Sequence, residues 1–428
     1  MNVLVIGGGG REHAICHALR KSPRIDKLYC APGNAGIAEI AECVNLMETD
    51  IEFMVRFAKE KSDFVIVAPD DPLAIGMVDA LEDAGIRTFG PRKNAAMLES
   101  SKVFAKTMME KYGIPTARFA VFSDKFAAKA HIREMGAPIV VKADGLTRGK
   151  GVIVSMSIES AEMAVDSMMQ DMRFGESGSR VVIEEFMTGT EVTVLAFTDG
   201  KTILPMISSQ DHKRAYTGNQ GPNTGGMGAF CPNPNYTPEI ADICMETIFR
   251  PTVDAMNAEG RLFKGIIYFG LMLTPKGPKV VEYNARFGDP ETQPILMLLK
   301  TDLLDILEAV VDERLHEVSL EWEDEYACCV VIASGGYPGN YRTGYKITGF
   351  ENVPDGVTIF HAGTKRSGSG FVTNGGRVLG ITAVGKTLLK ASDLAYKGVR
   401  CIDFTAAHYR SDIGRIGYTM NWKDDTGF

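Results

Sequence analysis

The sequence predicts an α/β protein in three parts: an N-terminal open parallel sheet, a central α+β unit and a small C-terminal α/β unit. Three observations lead there. The chain has 428 residues, more than one hydrophobic core usually serves. Strand, turn and helix patterns alternate over about the first hundred residues. Beyond residue 102 the alternation gives way to hairpins with glycine-rich loops. In order, Val3 to Ile6, the turn Gly7 to Gly10 and Arg11 to Leu19 read as strand, glycine turn and amphipathic helix. Leu28 to Cys30, Phe64 to Ala68 and Arg87 to Gly90 read as further strands, with helical patterns over Ile51 to Lys61 and Pro72 to Ala84. After about 320, strands are expected at Cys328 to Ala333 and Val378 to Val384, and a helix from Thr387 to Lys397.

Composition excludes several classes. The formal net charge is -8 and no Lys/Arg block interrupts the mixed pattern, which argues against a nucleic-acid footprint. An anionic substrate must therefore be met by local cations. The eight cysteines, with Cys328 and Cys329 adjacent, contain no Cys-x-x-Cys pair; reduced thiols are expected, with no disulfide and no zinc. Met1 leads directly into an apolar strand, and no apolar run approaches the ~20 residues of a membrane span. The expectation is a soluble, cytoplasmic chain with no membrane or nucleic-acid partner, acting as a monomer.

An open parallel sheet binds ligands beyond the carboxyl ends of its strands. There the sequence places Gly7 to Gly10, Ala31-Pro32-Gly33-Asn34 and Pro69-Asp70-Asp71-Pro72, three loops converging on one crevice. The glycine run fails the dinucleotide fingerprint: counted from Gly7 the third glycine position holds Glu12, and from Gly8 it holds His13. An amide cradle for one phosphate at a helix N-terminus and a purely structural turn both remain open. His13 reads as either a packed residue or a catalyst.

Past Ser101 and Lys102, a helix to Tyr112 meets Gly113-Ile114-Pro115, an extended connection. A buried strand then ends in Lys142, and the loop Gly145 to Gly151, carrying Gly149 and Lys150, returns to Val152. Such a hairpin can fold over phosphates, because glycine lets N–H groups approach and lysine supplies charge; a plain solvated tip is the alternative. It is no P-loop, since no Gly-Lys-Ser/Thr opens a helix. The segment Glu184-Glu185-Phe186-Met187 links two strands and can wrap an adenine. Glu191 follows as an acceptor for ribose hydroxyls or as an exposed strand-start carboxylate. Glu282 and Asn284 are two apart on a strand, so their oxygens share a face and suit one hard cation, unless they merely end the strand. Arg286 follows, with a planar fork that matches a carboxylate or a phosphate; the alternative is a salt bridge to Asp289 or Glu291. Asp211, Lys213 and Arg214 sit in a loop of roughly twenty residues rich in Gly, Pro and Asn, a length that usually marks a lid or binding loop.

Lys102, the Lys142 strand with its glycine hairpin, the hinge with Glu191, and Glu282 with Asn284 together resemble, in order and spacing, the ATP-grasp superfamily. Within it, Ser209 to Arg214, Gly221 to Gly228 and Arg286-Phe287-Gly288-Asp289-Pro290-Glu291 are similar to the glycinamide ribonucleotide synthetases. Gly9 to His13, Ala31 to Gly36, Gly335 to Gly339 and Val372 to Val378 carry the likeness end to end. The resemblance implies an N-terminal sugar-phosphate-binding domain (1–102), a two-lobed ATP-grasp domain (103–320, with a mobile lobe at about 116–189) and a C-terminal domain (321–428). It implies ligation of glycine to 5-phosphoribosylamine with ATP, through glycyl phosphate, with Mg²⁺ or Mn²⁺ on Glu282 and Asn284. ATP would meet Lys102, Lys142, Gly149, Lys150, Gly151, the Glu184 to Met187 hinge and Glu191. The other substrates would meet Gly8, Gly9, Gly10, Asn34, Asp70, Arg214, Asn223, Gly225, Gly226, Asp289 and Pro290, with Arg286, Asp211 and Lys213 as catalytic residues. The chain departs from the family at Asp70, often Glu, and at Thr147-Arg148, usually small residues. A different ATP-grasp ligase, such as a ribonucleotide carboxylase, and a nucleotide-sensing protein without turnover are the rival readings.

Overall fold

The N-terminal strands are short apolar runs buried on both faces, the pattern of a parallel sheet covered by helices. In the computed structural model, which describes residues 1–147, 151–170 and 178–415, they pair in parallel as expected. The order across the sheet is Glu42–Cys43, Lys27–Pro32, Asn2–Gly7, Phe64–Val67 and Arg87–Phe89. Connectivity reverses between Asn2–Gly7 and its neighbour Phe64–Val67, so a crevice opens above their carboxyl ends. The edge strand Glu42–Cys43 is an addition to the sequence reading. The single helix expected over 72–84 is two, Asp70–Ile75 and Met77–Asp83, broken at Gly76. Gly76 has φ +98, a left-handed conformation that glycine adopts without a Cβ penalty.

The helix Lys102–Lys111 begins where the Ser101 side chain accepts from the Phe104 N–H. Two antiparallel sheets follow. The smaller lobe orders Phe119–Phe122, Val181–Glu185, Ile139–Ala143 and Val152–Ser155, with helices Lys125–Met135 and Ile158–Val165 beside it. Its core, including Ile132, Val141 and Val181, is separate from the rest. The larger lobe orders Ile203–Pro205, Thr190–Thr198, Gly265–Thr274 and Gly277–Asn284. Its core runs on into that of the N-terminal sheet: Val194, Phe249 and Phe269 cluster with Leu4 and Val65. The Phe249 and Phe269 rings lie 4.3 Å apart, and each such buried side chain contributes ~1.5–3 kcal/mol relative to exposure.

The third sheet orders Gln210–Asp211, Gly228–Cys231, Tyr326–Ala333, Arg377–Gly385 and Val357–His361, all antiparallel, with the helix Leu388–Cys401 packed on it. Two of its strands thus come from the central part of the chain. The expectation of a structureless loop around Asp211, Lys213 and Arg214 is corrected. The stretch holds Gln210–Asp211, a hairpin of Arg214–Tyr216 and Gln220–Asn223, and Gly228–Cys231. These strands are too short to show a period; Gly228–Cys231 pairs with Tyr326–Ala333, Gln210–Asp211 pairs with Gly228–Cys231, and the hairpin strands pair with each other. All eight cysteines are free thiols. Among the described residues no helix is long and apolar enough to cross a membrane.

Candidate active site

The three parts of the chain enclose one cleft of about 1600 Å³, whose wall includes Gly8, Lys142, Lys213, Glu282, Arg286 and Arg377. Its centre is lysine-rich. Lys142 is the penultimate residue of the strand Ile139–Ala143, and its ammonium lies 2.9 Å from a Glu184 carboxylate oxygen while donating to the Val281 carbonyl at 2.9 Å. Glu184 is 2% exposed and is gripped from its other side by Lys106 at 3.0 Å. Lys102 donates to the Gly145 carbonyl at 2.7 Å, holding the base of the glycine hairpin. Lys213 reaches Glu282 at 2.5 Å. Four lysines therefore face two glutamates, a surplus of positive charge that suits a polyphosphate. Burial pulls Lys106 down to about 8 and lowers Lys102. Burial also opposes Glu282's charge, yet Lys213, Lys142 and Lys102 hold its carboxyl at about 2, so it is ionised at any working pH.

Glu282 and Asn284 both line the cleft; Tyr283 between them also borders it, but it is 4% exposed and its hydroxyl pairs with the Thr252 hydroxyl at 2.8 Å. The alternation read from the sequence is realised. The Asn284 amide makes no side-chain hydrogen bond among the described residues, which leaves its oxygen available. Among the described residues no group of three or more His, Cys, Asp or Glu side chains is placed to hold a metal. One carboxylate and one amide still fit a hard cation whose remaining ligands are phosphate oxygens and water.

At the hinge, Phe186, Met187 and Glu191 line the cleft, beside apolar Val140, Val154 and Met272. Glu184 and Glu185 also border it, but their side chains are engaged: Glu185 binds Arg118 at 2.8 Å and Lys279 at 3.2 Å. Burial works against Glu185's charge, and these partners nevertheless keep its carboxyl at about 2. Gly151 is not on the cleft wall; its N–H donates to the Thr147 hydroxyl at 3.0 Å, closing the loop with one of the residues that departs from the family pattern. Arg148, Gly149 and Lys150 lie outside the described residues.

Arg286 does form a salt bridge, though with Glu99 at 2.9 Å rather than with the expected alternatives Asp289 or Glu291. Its Nε atom is buried without a partner. Burial, only partly offset by Arg286, pushes Glu99 up to about 7. Burial acts against Arg286's charge too, but Glu99, Asp70 and Glu291 hold the guanidinium above its ordinary range. Asp289 instead pairs with Arg377 at 3.1 Å and accepts from Gln293 at 2.9 Å. Asp211 lies in the same pocket with one buried oxygen that has no partner. Burial first, then the Glu291 charge, raises its carboxyl well above the usual range.

The glycine crevice is a contrasting environment. Gly8, Gly9 and Asp70 line the cleft, together with Glu12, Glu48, Asp71 and the cation Arg11. The Gly9 N–H is already taken by Glu12 at 2.6 Å, and the other Glu12 oxygen binds Arg11 at 2.6 Å. Gly10 and Asn34 are not on the wall. A Cβ on Gly10 would run into Gln293. The Asn34 amide donates to the carbonyls of Gly8 (3.0 Å) and His361 (2.8 Å), and its oxygen accepts from the N–H groups of Gly36 and Ile37. Asn34 is thus a clamp for the glycine turn. His13 is packed: burial lowers it to about 3, and its Nδ1 accepts from the His361 N–H at 2.8 Å.

Arg214, Asn223 and Gly225 line the side formed by the hairpin, whereas Gly226 and Pro290 do not. Gly226, at φ +114, lies against Pro290 and Asp211, where a Cβ has no room. The C-terminal part contributes too: Tyr337 reaches the site, accepting from the Gly225 N–H at 3.0 Å. Arg377 donates to the carbonyls of Gly225 (2.8 Å) and Asp289 (2.7 Å). Sequence reasoning missed Lys106, Glu99 and Arg377. Lys106 had a signal, its position four residues after Lys102 on one helix face; Glu99 and Arg377 had none beyond their charge.

Three family descriptions cover nearly the whole chain: phosphoribosylglycinamide synthetase N domain over residues 1–99, ATP-grasp (A) domain over 100–292 and C domain over 327–416. A phosphoribosylamine–glycine ligase of Caldanaerobacter subterraneus is 49% identical over 98% of this chain and 100% of its own length. One from Brucella melitensis is 49% identical over 97% of each. The crystal structure of the Thermotoga maritima phosphoribosylamine–glycine ligase superposes with TM-score 0.83 at 33% identity, covering 96% of this chain and 100% of that one. A biotin carboxylase of Campylobacter jejuni, TM-score 0.73 at 14% identity over 95% of this chain and 92% of its own, shares the fold.

Proposed function

The chain belongs to the phosphoribosylglycinamide synthetase family, and from that premise we infer how its own residues conduct the ligation. It is an ATP-dependent carbon–nitrogen ligase of purine biosynthesis that joins glycine to 5-phosphoribosylamine. A glycine carboxylate does not acylate an amine at neutral pH, since the anion repels nucleophiles and oxide is a poor leaving group. Phosphorylation removes both obstacles: the carboxylate oxygen attacks the ATP γ-phosphorus and releases ADP, and the amine then displaces phosphate from glycyl phosphate.

The observation that carries the assignment of roles is the lysine-rich centre joined to Arg286 by the end of one strand. Lys102, Lys142 and Lys213 neutralise the phosphates, with Lys106 seating Glu184 so that Lys142 stays in place. Phe186, Met187 and the neighbouring valines take the adenine, and Glu191 accepts from the ribose. Arg286, fixed by Glu99, orients the glycine carboxylate and then the acyl phosphate. Glu282 and Asn284 would hold Mg²⁺ or Mn²⁺, which when bound would neutralise charge on the phosphate oxygens; the asparagine keeps the ligand charge low enough for phosphates to bind. Asp211, Asp289, Arg214, Asn223, Gly225 and the Gly8–Gly9 turn surround the remaining space for glycine and the sugar phosphate. We place domain limits at 102 and 320, and let the lobe at about 116–189 move as a unit, a reading its separate core supports. A cytosolic monomer completes the reading.

A coupled assay of ADP release tests the activity: ADP is expected only when ATP, glycine and phosphoribosylamine are all present, and release that follows bicarbonate instead of glycine would overturn it. Arg286→Ala is expected to lower turnover by about 10²–10³, as for a lost charge-stabilising donor; turnover within about threefold of wild type, far short of that range, would reject its role.

A further inference from the structure

The hairpin Arg214–Tyr216/Gln220–Asn223 edges the cleft, yet most of its tip faces solvent: Tyr216 is 52% exposed, and Gln220 and Gly221 are exposed. A two-stranded ribbon of this size is not stable by itself in water. What holds it is a stretch near the end of the described chain. Arg410 is 1% exposed, the largest fully buried side chain among the described residues. Its Nε and Nη2 each donate to one oxygen of Asp412 at 2.8 Å, and its Nη1 donates to the Arg214 carbonyl at 3.1 Å. Asp412 in turn accepts from the Gly218 N–H at 3.0 Å, and the Ser411 N–H donates to the Thr217 hydroxyl at 3.1 Å. Behind this contact, the Tyr396 hydroxyl donates to the Arg410 carbonyl at 2.7 Å and accepts from the Ile413 N–H at 3.0 Å. The stretch is thereby bolted to the helix Leu388–Cys401. Arg410, Asp412 and Arg415 also border the cleft beside Arg214 and Asn223.

We propose that Arg410 and Asp412 are positioning residues for the substrate that the hairpin meets, phosphoribosylamine: they clamp the ribbon in the register that presents Arg214 and Asn223 to the cleft. This rests on the ligase reading above. The physical reason for an arginine is its two-pronged fit to Asp412 with a further N–H left for the Arg214 carbonyl, a geometry a lysine ammonium does not reproduce. The clamp acts on one end of the cleft, so its loss separates the substrates kinetically. A purely stabilising contact would not.

The test compares wild type with Arg410→Gln, Arg410→Lys and, since loss of a buried guanidinium can unfold its surroundings, Thr217→Val, which loosens the clamp from the hairpin side. Steady-state constants are measured for each substrate, and chymotrypsin cleavage after Tyr216 is followed without substrates. Expected for Arg410→Gln and Thr217→Val are a KM for phosphoribosylamine raised about tenfold, a KM for ATP within about twofold, a smaller effect than any lost polyphosphate contact, and faster cleavage after Tyr216. Arg410→Lys restores little, because charge without the fork leaves the Arg214 carbonyl unpaired. Equal changes in every KM, or unchanged KM for phosphoribosylamine in folded Thr217→Val, would overturn the clamp. Should wild type itself release no ADP, the ligase reading fails, and the cleavage rates still decide whether the clamp holds the hairpin.

Discussion

The lysine-rich centre of the cleft and the glycine crevice at its N-terminal end both look, in one dimension, like places for an anion. They differ in what surrounds the donors. In the centre, four lysines meet two glutamates at the wall of the cleft. In the crevice, one glycine N–H is capped by Glu12, Arg11 is paired with the same carboxylate, and Glu48, Asp70 and Asp71 border the gap. Burial and the neighbouring Glu12 carboxylate both push Glu48 up. Backbone amides alone therefore do not define an anion site; the net charge within a few ångströms decides how strongly they are backed.

The contrast breaks most sharply at Lys142. Lys142→Met keeps the length of the side chain but strips Glu184 of one partner and the phosphates of one cation. It should lower kcat/KM for ATP by about 10³, as for loss of a transition-state charge donor in a desolvated site. If stopped-flow and steady-state rates stay within tenfold of wild type, the centre is not the phosphate site in the sense argued.

At the seam between the two regions stands Glu99, buried behind Arg286 and raised to about 7. A carboxyl whose folded value lies above its unfolded one favours the protonated folded state. Its stabilising contribution is complete below about pH 4.5 and disappears as pH rises through about 7. Between those limits wild type should lose about 3 kcal/mol relative to Glu99→Gln. Urea unfolding at pH 5 and pH 8 measures it, and parallel pH slopes for the two proteins would contradict the burial argument.

The smallest effect sharpens the crevice. Glu12→Gln keeps the cap on Gly9 but removes a negative charge, so if the turn helps hold the sugar phosphate, KM for phosphoribosylamine should fall about threefold. A rise would mean that the crevice receives the neutral or amine-bearing end of the substrate.

Much of the fold was legible because its strands are continuous apolar runs and its motifs recur in order. The two-residue spacing of Glu282 and Asn284 could be read directly, since strand geometry alone puts them on one face. The Glu42–Cys43 edge could not, being too short for any pattern. Glycines and prolines hid the strands within 210–231, of which Gly228–Cys231 takes its conformation from pairing with residues a hundred positions later. Glu99 and Arg377 were illegible as site residues for a related reason, and Lys106 left only its spacing from Lys102. Each acts by holding another residue, and a sequence shows the side chain without its neighbour. Asn34 shows the converse: the motif was recognised, but its amide serves the backbone around it.

The sheet that joins Gln210–Asp211 and Gly228–Cys231 to Tyr326–Ala333 has a consequence for biosynthesis. While the ribosome is still translating the first three hundred codons, those two early strands have only each other to lie against, and Gly228–Cys231 lacks the long strand that flanks it in the finished sheet. Assembly of the catalytic chamber must wait for the last quarter of the polypeptide to emerge, so a stalled or prematurely terminated product would carry an unpaired, apolar edge exposed to chaperones instead of a partly active enzyme.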